Sequence, residues 1–273
     1  MRFLQIIAMI SIAAAAWSGF GGNRADAQSA TGCALRPPSM AQIRSAAAMS
    51  VRLRDYLETT GAELAIVARV GSDQSKRGPK YTHAGFAWRD NPKGRWVVVQ
   101  ALNACGTSRS AIYDQGLMQF FLDDPHNYDV QIIVPSRALR RAIATGLKDG
   151  DGLRIHGSRY SIVSYPRSTM YQNSNEWLLE VIALAQGRLR DQTIVSRAGA
   201  QQLHAELGFA GSKAQVTFFE QLFGGLFNAN VSFADHPFAD SQSGWFEFVS
   251  VRFIKNYLTR LNRTESVKEL TGP

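Results

Sequence analysis

The stretch "YQNSNEW" (171–177) places one serine between two asparagines where a helix should open into the apolar run "LLEVIALA". Asn173 followed three residues later by Glu176 approximates a capping box, each side chain accepting from the other residue's backbone N–H. Ser174 is then the first residue inside the helix, and Trp177, Leu178, Val181, Ile182 and Ala185 face the core. Free backbone N–H groups and the helix dipole favour an oxyanion at such a terminus. A serine hydroxyl is not ionised by that field as a thiol is, so attack by Ser174 would need a general base. His83, in the strand start "THAGF", is that base; its small neighbours Ala84 and Gly85 let another element come close. A third polar group should orient the imidazole through its other nitrogen. Gln100 on the next strand is the first choice and Asn103 the second. Asn173, Asn175, Tyr171 and Gln172 are the binding positions, with the Ser174 N–H and the Gln172 or Tyr171 side chain as oxyanion donors. The competing reading is a capped core helix and a structural strand histidine.

Other polar groupings carry less. Asp123, Asp124, His126 and Asp129 in "DDPHNYD" read as a turn rather than a cation site, and His156, His204 and His236 stand apart, so neither a metal nor a cofactor is expected. "GLKDGDG" lacks the spacing of a calcium loop, and no phosphate-cradling or dinucleotide motif is present.

Several elements must position these residues. Pro37-Pro38 ends a tail, and Ser39 caps a helix with Ile43, Ala46, Ala47, Val51, Leu53 and Leu57 at helical spacing. Strands are expected at 62–71, 81–88 and 95–103, the polar loop 72–80 joining the first two. A short helix follows at 113–124, then a strand at 129–135, a helix from Ser136 to about Leu147, and one or two strands within 154–166. After the helix at Asn173 the character changes. Segments 193–207 and 215–227 read as helical or mixed, 228–244 as a long loop, and 246–261 as an amphipathic helix, a strand over 246–253 fitting fewer positions. The final residues, 263–273, read as a loose tail.

The beginning of the chain has a different purpose. Arg2, the apolar run 3–17 and Ala25-Asp26-Ala27 form a secretory signal peptide with cleavage expected after Ala27. The apolar run is shorter than the ~20 residues a membrane span needs. A periplasmic or secreted protein with no transmembrane segment in the mature chain is implied. Losing Arg2, Arg24 and Asp26 takes the formal charge from +8 to +7. That charge suits anionic envelope surfaces, and its scattered placement gives no nucleic-acid stripe. Cys33 and Cys105, the two cysteines of the chain, are an expected disulfide in an oxidising compartment, the alternative being a reactive thiol at Cys105. The expected organisation is a signal peptide (1–27), an N-terminal segment and helix (28–61), an α+β core (62–190), a helical extension (191–262) and a tail (263–273).

The ordered pair His83-Ala84-Gly85-Phe86 and Asn173-Ser174-Asn175-Glu176-Trp177 resembles the circularly permuted papain-like proteins, including the NlpC-like, lecithin:retinol acyltransferase-like and PPPDE groups, over roughly residues 62–186. The resemblance implies an antiparallel sheet packed by the helix that starts near Asn173, with amide or ester hydrolysis or acyl transfer at the helix start. Those enzymes hold Cys where this chain holds Ser174. "THAGFAW", "CGTSRSAIYDQGLMQFFLDDP" and "YPRSTMYQNSNEW" resemble more closely an uncharacterised bacterial family, domain of unknown function 2145. Two functions follow as expectations: a hydrolase or acyltransferase using Ser174 and His83, or an inactive relative that binds an envelope peptide, lipid or protein partner.

Overall fold

The computed structural model describes residues 37–71, 79–104, 107–123, 125–215, 217 and 229–273. The expected signal peptide, both members of the expected Cys33–Cys105 disulfide, Asp124 and most of 215–227 lie outside the described residues.

Six strands form one antiparallel sheet: β1 (Leu64–Arg69), β2 (His83–Asn91), β3 (Gly94–Asn103), β4 (Ser110–Gly116), β5 (Val130–Pro135) and β8 (Thr264–Leu270), in the order β4-β3-β2-β1-β5-β8. A second antiparallel pair joins β6 (Ser212–Gln215) to β7 (Trp245–Phe248). The helices are α1 (Met40–Thr59), α2 (Leu117–Leu122), α3 (Arg137–Lys148), α4 (Asp151–Arg154), α5 (Ser174–Arg188), α6 (Arg197–Glu206), α7 (Phe238–Ser243) and α8 (Val251–Arg260). The class is α+β.

Central strands read as nearly unbroken apolar runs because both sheet faces are covered. Along each strand alternate side chains enter different layers. On one face Leu64, Ile66, Phe86, Trp88, Val99 and Ile133 pack with α3, α5, α6 and α8. On the other, Ala65, Val67, Ala87, Val98 and Ile132 pack with Met49, Leu53 and Leu57 of α1 and Phe120 and Phe121 of α2. Ser39 opens α1 with a full capping box to Gln42. α5 is buried on all sides, unlike α1, which buries one stripe and exposes the rest.

Five expectations change, the first being that the loop expected at 228–244 contains α7. Residues 113–116 belong to β4, so the helix expected at 113–124 is cut to α2; Tyr113 and Gln115 pair with Gln100 and Val98 instead. The strands expected in 154–166 are absent as named elements: Arg159 makes one bridge to Arg109, and the rest is turns. The amphipathic helix expected from 246 divides into β7 and α8, the Ser250 N-cap marking the break. The loose tail is a strand: β8 pairs along β5 from Val130↔Leu270 to Pro135↔Thr264, main-chain hydrogen bonds outweighing its polar, mostly exposed side chains.

Candidate functional site

The capping box at α5 forms as its sequence implies. Glu176 N donates to Asn173 Oδ1 at 2.9 Å, and Asn173 N donates to Glu176 Oε2 at 3.0 Å. Ser164 Oγ donates to the same carboxylate oxygen. Glu176 is buried beside Glu180, and burial first, then that neighbour's charge, pushes its carboxyl well above the usual range. Glu180 is also raised by burial, although Arg197, Gln201 and Gln172 all donate to it. Donors reach both oxygens of Glu180, whereas the hydrogen bonds to Glu176 fall on Oε2 and leave its buried Oε1 without one.

The remaining residues of the helix start hold the fold. Ser174, 6% exposed, lies against the phenol of Tyr160, which burial pushes up to about 12. Asn175 Nδ2 donates to Thr82 O at 3.1 Å and to Val249 O at 3.4 Å, fastening α5 to the entrance of β2. Gln172 is fully used: Nε2 donates to Glu180 Oε2 at 2.6 Å and Ile155 O at 3.1 Å, and Oε1 accepts from Gly157 N at 2.7 Å. Tyr171 is half-buried under the Arg159 guanidinium, 4.8 Å from its ring centre.

His83 and Gln100 come together as the sequence suggests, 2.7 Å apart between Nε2 and Oε1. Gln100 Nε2 donates to Gln115 Oε1 at 2.6 Å, so a polar row crosses β2, β3 and β4. Since that amide turns its oxygen to His83, the imidazole carries its proton on Nε2. Gly85 makes room: a Cβ there would sit 2.7 Å from Val98 Cγ1 and 3.1 Å from Gln100 Cβ. Burial, then the Arg69 charge, pushes His83 down to about 3 against the opposing Gln100 hydrogen bond.

Ser174 and His83 are not brought together. β1 and β2 pair without a break from Leu64↔Trp88 to Arg69↔His83, so side-chain alternation holds to the end of β2. Phe86 meets Trp177 of α5, ring centres 5.7 Å apart. His83 therefore shares the other face with Ala87, and its ring lies 6.3 Å from that of Phe120 in α2. The helix start touches the main chain of Thr82, one residue before His83, while the imidazole turns away. Asn103 pairs with Ser110 and, by the same alternation, faces away from Gln100 and His83.

Sequence reading treats His156 as isolated, yet it is hydrogen-bonded to Ser110, 46 positions earlier. No local motif announces that pair; it exists because the turn after α4 folds back on β4. Asp123 is paired with Arg69, and Asp129 with Lys80 and the Gly272 N–H. Among the described residues no group of three His, Cys, Asp or Glu side chains is placed to hold a metal ion, and no helix is long and apolar enough to cross a membrane.

These features define an α+β protein whose antiparallel sheet is covered by helices on both faces. The chain belongs to the family described as an uncharacterised protein conserved in bacteria, domain of unknown function 2145, whose model matches residues 56–258. No curated protein and no solved structure matches it.

Proposed function

We propose that the protein is an exported envelope protein that binds a peptide or protein partner, and that its Ser174–His83 pair does no chemistry. In this reading a papain-like frame, permuted so that the histidine strand precedes the helix, is kept for its shape. The observation that carries it is the placement of the two residues on different sheet faces. The low basicity of His83 adds to it, because a general base works best with a pKa near the working pH. The Gln100 contact favours the second reading, a hydrolase or acyltransferase, since it orients the imidazole as a catalytic partner would.

Reacting the full chain with a fluorophosphonate and mapping the adduct separates the two. The binding reading expects no adduct on Ser174 and no hydrolysis gained in Ser174→Cys. An adduct on Ser174 that disappears in His83→Ala overturns it. Peptides released by digestion of bacterial cell wall should raise the melting temperature of the full chain; no shift at millimolar peptide counts against an envelope-peptide partner. Export is tested by N-terminal sequencing of protein from the periplasmic fraction, which should begin at Gln28.

A further inference from the structure

We propose that Ser110 and His156 form a nucleophile–base pair that cleaves esters, a pair distinct from Ser174 and His83. Ser110 opens β4, and its Oγ lies 2.9 Å from His156 Nε2. Both residues are partly exposed. A serine within hydrogen-bond reach of an imidazole is the minimum equipment for acyl transfer.

Three features set the chemistry. Antiparallel pairing with Asn103 puts Ser110 at the end of the β3–β4 ladder, and Ser110 N donates to Ser158 O at 2.9 Å. The serine is thus held between a sheet edge and the 155–160 turn. Burial and then the Arg197 charge lower the pKa of His156 below the usual imidazole value. Arg197 is itself locked by Glu180 and by the carbonyls of Thr169 and Tyr171, so that charge is fixed in place. Finally, no described carboxylate hydrogen-bonds His156. A dyad without an acid to stabilise the imidazolium suits an ester, whose alkoxide leaves more readily than an amide nitrogen.

The steps balance. Ser110 Oγ bonds to the ester carbonyl carbon while its proton passes to His156 Nε2. The carbon–oxygen bond to the alcohol then breaks, and His156 returns the proton to the departing oxygen. Water attacks the acyl-serine in the same way, giving its proton to His156, which passes it to Ser110 Oγ as the acid leaves.

Ser110 Oγ also lies 3.3 Å from Gly157 O. The hydroxyl has one proton, so the alternative has Nε2–H donating to Oγ while the hydroxyl donates to that carbonyl, an arrangement with no nucleophile. A fluorophosphonate adduct, mapped by mass spectrometry on the full chain, decides between them. The expected result is an adduct on Ser110, lost in Ser110→Ala, slowed at least 100-fold in His156→Ala and unchanged in Ser174→Ala, with p-nitrophenyl acetate hydrolysis following the same order. An unlabelled Ser110 in folded wild type overturns the proposal, as does hydrolysis that survives Ser110→Ala. Should His156→Ala not fold, Ser110→Cys supplies the second measurement. Its residue 110 thiol should alkylate with iodoacetamide at pH 6 at least tenfold faster than a free thiol, and an ordinary rate overturns the proposal. Because the adduct is mapped residue by residue, failure here and failure of the binding reading at Ser174 are told apart.

Discussion

Ser174 and Ser110 invert what their sequence surroundings advertise. Ser174 stands at a helix terminus in a stretch full of polar side chains, yet its neighbours are spent on the fold and a phenol lies against it. Ser110 sits in "TSRS" at a strand start with nothing to mark it, and meets an imidazole at 2.9 Å. A nucleophile is defined by the base within reach, and reach is set by which sheet face each strand position feeds. The start of α5 is a clamp; the start of β4 is a reactive edge.

If the α5 start is a clamp, damage there should appear as lost stability. The largest effect is expected for Trp177→Ala. Trp177 is fully buried, packs on Phe86 and donates from Nε1 to Gly152 O at 2.8 Å. Removing the ring should cost about 3–5 kcal/mol in urea denaturation, leaving a cavity and an unpaired carbonyl. Asn175→Ala comes next, at about 1–3 kcal/mol, because Thr82 O and Val249 O lose a shared donor in a buried place. A loss under a few tenths of a kcal/mol for Asn175→Ala would break the clamp reading.

Much of this clamp is legible in the sequence, because a capping box is a local contract: Asn173 and Glu176 are three residues apart and need nothing else. The central strands and α1 are legible for the same reason, their apolar periodicity matching the layers they enter. Gln100 as the partner of His83 follows from two neighbouring strands in a hairpin. The face that His83 chooses is not legible. "YTHAGFAW" is apolar on both parities because both sheet faces are covered, so alternation does not say which layer holds α5. β8 is hidden for a different reason: "TESVKEL" has the composition of a solvated edge and is a strand because β5 offers it a ladder. Ser110–His156 is a long-range contact that no local pattern encodes.

His83 and Glu176, one in each layer, should answer pH with opposite signs. His83, on the α1 face, is lowered to about 3 from an ordinary 6.5, so below pH 6.5 the unfolded chain binds a proton that the folded one refuses. Its contribution to stability is full above pH 6.5 and is lost as pH falls towards 3, by about 1.4 kcal/mol per pH unit while the difference in protonation is complete. Glu176, on the α5 face, is raised above 4.5; its contribution is full below 4.5 and is lost as pH rises through its folded value. Urea midpoints from pH 4 to 8 should show His83→Gln flattening the acid side of the profile and Glu176→Gln flattening the alkaline side. The same slope in both variants would mean that His83 and Glu176 are not held with opposite preferences for the proton.

The smallest expected effect is the most discriminating. Ser174→Ala removes one hydroxyl from a position whose neighbours keep their own hydrogen bonds: Asn173 and Glu176 still close the box, and Asn175 still holds Thr82. What is lost is its contact with Tyr160, and what is gained is the better helix propensity of alanine, so the net change should stay within about 1 kcal/mol. A catalytic serine would behave differently in one respect: its removal would abolish turnover. Measuring both quantities on one variant therefore tests the comparison at its narrowest point. Unchanged ester hydrolysis with a near-neutral stability change leaves Ser174 as a helix-start residue and the reactive role to Ser110. Loss of hydrolysis in Ser174→Ala would return the chemistry to the helix terminus, and would require the chain to bring His83 round from the other face of the sheet.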